Sequence, residues 1–151
     1  MFTVEAVPAQ ELGNASFLVA DRERGVAMVI DPLRDVGPYL RIADRLGVKV
    51  THALDTHLHN DFVSGRRELQ AAAGTNITEL TPGRDLPLGD ITFQALHTPG
   101  HTPDHLSYLL VDLGVPAAKT VVAQVIFYGG AVLVTLLAIY VLLTTAPISL
   151  G

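Results

Sequence analysis

Two short apolar runs, residues 16–20 (SFLVA) and 26–30 (VAMVI), read as a pair of strands separated by the charged turn Asp21-Arg-Glu-Arg-Gly25. Asp31-Pro32 stops the second run, because proline cannot donate to a ladder. Asp35 is placed to cap a helix in which Leu40, Ala43 and Leu46 recur at helical spacing, and Gly47 ends it. A short strand over 48–54 then runs directly into Asp55-Thr-His-Leu-His-Asn-Asp61. Residues 64–73 read as a second helix closed by Gly74. Strands are expected over 77–80, 91–96 and 105–111, with turns at Thr81-Pro-Gly83 and Thr98-Pro-Gly100. Strands paired early, then a strand–loop–helix unit, then more strands predict an α/β sandwich.

The pattern changes completely near the C-terminus. Every charged side chain lies between Glu5 and Lys119, and the 32 residues from Thr120 onward carry none. The run 121–143 is aliphatic with few interruptions, and about 20 such residues span a hydrocarbon core of ~30 Å. The sequence therefore predicts a domain over 1–113, a linker over 114–119, one transmembrane helix over 120–145 and a short tail over 146–151. Lys119 just before the span places the domain in the cytoplasm by the positive-inside bias. A tail packed as a core element, in a soluble cytoplasmic chain, is the alternative. Residues 1–8 show no basic or apolar segment of a signal peptide.

With 15 acidic and 10 basic residues the net charge is −5, so no basic footprint for nucleic acid exists. Cysteine is absent, which excludes a disulfide scaffold, a thiolate zinc site and a cysteine nucleophile. Metal chemistry would rest on the six histidines and the carboxylates. His57 and His59 stand at i and i+2 right after a strand, with Asp61 two further on. In extended chain such side chains point the same way, so both imidazoles can meet one cation. His101 sits at another strand end, in a loop stiffened by Pro99 and Pro103. Three imidazoles plus a carboxylate suit zinc or iron and leave a position open. His52 and His97 read as surface or partly buried sheet residues. His105 is either a hydrogen-bond partner of a ligand or plain structure.

Thr56-His-Leu-His-Asn-Asp-Phe-Val-Ser-Gly65 and Thr98-Pro-Gly-His-Thr-Pro103 resemble the two metal-binding motifs of the metallo-β-lactamase fold superfamily, over about residues 3–113. Within it the chain is similar to the persulfide dioxygenase and glyoxalase II branch. The resemblance implies the N-terminal half of an αβ/βα sandwich, with His57, His59, Asp61 and His101 as metal ligands and Asp61 as the catalytic carboxylate. Two departures stand out. Phe62 replaces a histidine that normally holds a second metal, which implies one divalent ion, Fe(II) first and Zn(II) as alternative. The second half of the fold, with its aspartate ligand, does not follow Leu113. Residues 124–134 resemble a transmembrane helix of the J-type (ND6-type) membrane-arm subunit of respiratory complex I.

These features imply a mononuclear-iron oxygenase acting on a small-molecule thiol persulfide. The alternatives are a thioester hydrolase similar to glyoxalase II, or an inactive metal-binding half-domain tethered to a membrane. A partner chain completing the sandwich is a further expectation.

Overall fold

The computed structural model describes residues 2–8, 15–112 and 119–123, the last five and Asp112 by their backbone. Its first sheet begins with β1 (Phe2–Pro8), β2 (Ala15–Asp21) and β3 (Val26–Ile30), an antiparallel meander. Helix α1 (Gly37–Leu46) then crosses over to β4 (Lys49–Leu54), and α2 (Arg66–Ala73) to the two-residue β5 (Asn76–Ile77), each added in parallel. The second sheet is wholly antiparallel: β6 (Asp85–Leu88), β7 (Ile91–His97), β8 (Leu106–Asp112) and β9 (Lys119–Ala123).

Both faces of the first sheet are buried, which explains why β3 reads as a continuous apolar run instead of alternating. One face carries Leu18, Ala20, Ala27, Val29, Val50 and Ala53 against Tyr39, Ala43 and Leu69 of the helices. The other face carries Val19, Met28, Ile30 and Leu54 against Phe93, Ala95, Tyr108 and Leu110 of the second sheet. The layers are therefore helix, sheet, sheet. Burying a side chain such as Leu18 or Phe93 completely contributes about 1.5–3 kcal/mol.

Several expectations are corrected at element ends. The N-cap of α1 is Val36, with no side-chain cap. Asp35 stands one residue earlier and its carboxylate accepts the Gly37 N–H at 3.0 Å. Gly47 and Gly74 close their helices in the left-handed region, at φ 68° and 67°. The strand expected over 77–80 shrinks to Asn76–Ile77. Strands β1 and β6 were not anticipated. The start of the expected transmembrane helix and the end of the expected linker are also corrected: Lys119–Ala123 is a strand paired with β8 from Asp112↔Lys119 to Tyr108↔Ala123. Among the described residues no helix is long and apolar enough to cross a membrane. The rest of the expected helix, and the complex I likeness over 124–134, lie outside the described residues.

Candidate metal centre

Asp31 directly follows strand β3, is buried and holds φ at +51°. A carboxylate buried there needs donors, and the loop leaving β4 supplies them. The Thr56 N–H donates to Asp31 Oδ1 at 2.6 Å, the Thr56 hydroxyl to Oδ2 at 2.9 Å, and His59 Nε2 to Oδ1 at 2.9 Å.

These bonds fix two tautomers. In its neutral form His59 donates its Nε2–H to Asp31, and Nδ1 then carries the lone pair. Thr56 spends its only hydroxyl proton on Asp31. Its oxygen can then only accept from His57 Nδ1, 2.9 Å away, and the His57 lone pair falls on Nε2. His57 Nε2 and His59 Nδ1 are both buried and have no hydrogen-bond partner. Orphaned buried polar atoms are rare and costly. Here two of them sit on rings whose other nitrogens are anchored, the arrangement that orients metal-binding imidazoles.

The loop is held from several sides. The Leu106 N–H donates to the Thr56 carbonyl at 2.8 Å, and Tyr108 Oη–H to the Asp55 carbonyl at 2.6 Å. Asp55 also accepts from the Ser64 hydroxyl at 2.8 Å and pairs with Arg66 at 2.9 Å. The His101 turn closes over this loop. The rings of His59 and His101 stand 4.2 and 4.8 Å from that of His57, and His105 stacks on His57 at 5.3 Å. Imidazoles sharing an ion at ~2.0–2.1 Å need ring separations of this order.

Thus His57, His59 and His101 converge, and Asp61 lines the same open depression. Phe62 lines it too, packed on the His59 ring at 4.1 Å. His105, one of the open cases, is a full member of the cluster and is hydrogen-bonded through Nδ1 to the Thr98 hydroxyl at 3.2 Å. His52 is half-buried in β4, bonded to the Thr51 hydroxyl at 2.9 Å. His97 is exposed, bonded to the Pro103 carbonyl at 2.8 Å.

Burial, reinforced by the neighbouring His59, pushes the His57 imidazole down to about 4. It is neutral near pH 7, its lone pair available. Burial also opposes charge on His59, but the Asp31 hydrogen bond and the surrounding carboxylates outweigh it and raise its pKa. Burial lowers that of His105.

Asp31 was read in the sequence only as a strand stop. An acid closing a run as apolar as VAMVI must lie at the edge of the core, and that was the available signal. Asp31, Asp55 and His59 present ligand atoms within 4.8 Å of one another. Yet Asp31 is engaged by three donors and Asp55 by Ser64 and Arg66. The orphaned nitrogens, not these carboxylates, mark where a cation fits.

Comparison with known proteins agrees with this architecture. No protein-family model matches the chain. Hydroxyacylglutathione hydrolase of Rhodospirillum rubrum is 35% identical over 113 residues, covering 66% of this chain and 44% of that protein. A metallo-β-lactamase from Staphylococcus aureus superposes with a TM-score of 0.74 at 33% identity, over 85% of this chain and 44% of that one. ETHE1 from Myxococcus xanthus does so with 0.68 at 28% identity, over 72% and 53%. The chain thus spans about half the length of its relatives. Metallo-β-lactamase-fold homologues cover its N-terminal part, and that part has their αβ/βα fold.

Proposed function

We propose that this metallo-β-lactamase-fold chain is a metal-dependent hydrolase of small-molecule thioesters. The observation that carries the reading is the pair of buried nitrogens without a hydrogen bond, His57 Nε2 and His59 Nδ1, turned out by one aspartate, with Asp61 Oδ1 3.7 Å from the latter. With His101 beside them they would hold one divalent cation, for which neutral imidazoles suit zinc. When bound, the cation supplies Lewis acidity and a water that ionises near neutral pH. Asp61, which lines the pocket, would serve as the general base there. Asp31 keeps both rings in the metal-binding tautomer. The hydrolase name carried by the curated relatives favours this alternative over the persulfide oxygenase reading.

One observation keeps the oxygenase as a second reading. Phe62 has no donor atom, and it stands against His59 where a second cation would need a ligand. A single ion, Fe(II) in that case, fits an oxygenase acting on a thiol persulfide. The test is to purify the full chain, measure zinc and iron per chain, then follow thiol release from a hydroxyacylglutathione and oxygen uptake with glutathione persulfide. Metal-dependent thiol release supports the hydrolase. Oxygen uptake without thioester cleavage transfers the assignment to the oxygenase. A chain that binds no metal overturns both and leaves the inactive half-domain.

A further inference from the structure

Besides the three imidazoles read as ligands, the pocket is lined by a fourth, His105. It is buried, and its ring stacks on that of His57, with centroids 5.3 Å apart and planes 29° from parallel. Backbone on both sides fixes its place. Its carbonyl accepts the Thr98 N–H at 2.9 Å, which closes the turn that carries His101. The next residue, Leu106, donates its N–H to the Thr56 carbonyl at 2.8 Å and so ties this turn to the His57 loop.

The group behind the ring sets His105 apart from the ligands. His57 and His59 are tied back to Asp31, a carboxylate that only accepts, and their lone pairs are turned out. His105 Nδ1 is bonded instead to the Thr98 hydroxyl at 3.2 Å, and that hydroxyl to the buried Ser107 hydroxyl at 2.8 Å. Each hydroxyl can both give and take a proton. The chain can therefore run from Ser107 through Thr98 to Nδ1, which leaves the imidazole proton on Nε2. His105 Nε2 is also not among the buried nitrogens without a hydrogen bond that mark the cation's place.

The rest of the wall makes such a donor valuable. No lysine or arginine is among the described residues that line the pocket. Asp31 and Asp61 only accept when ionised, the Thr56 hydroxyl proton goes to Asp31, and Leu33 and Phe62 are apolar. With Nδ1 on Thr98, Nε2 is the atom that His105 has to offer the pocket.

We infer that His105 is not a fourth ligand but the hydrogen-bond donor of the pocket, giving its Nε2–H to an anionic group of the substrate seated beside the cation. This rests on the metal-site reading and adds to it a residue that acts on the substrate. A donor fixed in advance where negative charge collects costs no rearrangement when the substrate arrives.

The test uses the full chain loaded with Co(II) and titrated with azide, followed by the azide-to-cobalt absorption band. His105→Phe keeps a flat ring against His57 and removes both nitrogens. It should hold Co(II) with wild-type affinity and unchanged cobalt bands, yet bind azide about tenfold to a hundredfold more weakly. His105→Gln returns an N–H at a similar reach and should recover most of that loss. Unchanged azide affinity in His105→Phe overturns the inference, as does a loss that His105→Gln does not recover. So does a fall in Co(II) affinity with altered cobalt bands in His105→Phe, which would make His105 a ligand. A wild-type chain that binds Co(II) but shows no azide band likewise overturns it and leaves the metal site standing. Failure of the wild-type chain to bind Co(II) overturns the metal reading and this inference with it.

Discussion

Asp31 orients two imidazoles at once, because Thr56 relays its demand for protons to His57 while His59 meets it directly. Asparagine at this position can accept on one side only and presents an N–H to a donor on the other. Asp31→Asn is expected to lower Zn(II) affinity about tenfold to a hundredfold, measured by competition with a chelating dye. Unchanged affinity would show that the tautomers are set elsewhere. Phe62→His is expected to leave the content at one tightly bound metal per chain, because one new imidazole beside His59 does not make a second ligand set. Two tightly held zinc ions by elemental analysis would refute this. That His57, His59, Asp61 and His101 gather at one pocket was legible in the sequence, because donor types at strand ends at short spacing need no tertiary knowledge. Asp31 and Thr56 were not, since their roles depend on the parallel pairing of β3 with β4, which puts the ends of two distant segments side by side.

At the scale of elements, legibility followed position in the sheet. Strands β3, β7 and β8 are interior and strongly apolar, and the sequence marked them to within a residue or two. β1 and β6 are edges. β6 contains Pro87, tolerated at an edge and a signal against a strand when read alone. β9 hides at the start of a uniformly apolar run with no alternation to reveal it. The two sheets are joined at a turn the sequence showed only as charged. Asp21 Oδ1 accepts from the Glu23 and Arg24 N–H groups at 3.1 and 3.2 Å, and Oδ2 from the Asp90 N–H at 2.8 Å, in the β6–β7 turn. Arg24 adds an ion pair to Asp90 at 2.9 Å. Burial disfavours the charged form of Asp21, but these three N–H groups outweigh it and hold its carboxyl below the ordinary 3.8. Its folded pKa is the lower one, so its contribution is complete above the unfolded value and is lost as pH falls through the folded value. The urea midpoint should therefore drop below about pH 4. Asp21→Asn should be less stable at pH 7 and show a shallower acid decline. Parallel pH profiles for the two proteins would exclude Asp21 as the cause.

For the whole molecule, the question is where the domain ends. The family resemblance ended the domain at Leu113, and composition began the apolar segment after Lys119, the last charged residue. The structure draws Lys119–Ala123 into the second sheet, where it covers the edge of β8. Apolar content alone cannot separate a strand that completes a sheet from the start of a lipid-facing segment, since both exclude charge. Cutting at residue 113 leaves β8 paired with β7 alone and exposes its other edge, a template for pairing with another chain. A version of residues 1–113 is expected to melt lower and to aggregate more readily than one of residues 1–123, by thermal melting and light scattering. The 28 residues after Ala123 contain no charge and are expected to take the full chain into the membrane fraction. Residues 1–123 should stay in the supernatant. Carbonate-washed membranes retaining the full chain alone would support this division. A full chain that remains in the supernatant as a monomer without detergent would instead assign the apolar segment to the domain, packed against it as one more core element.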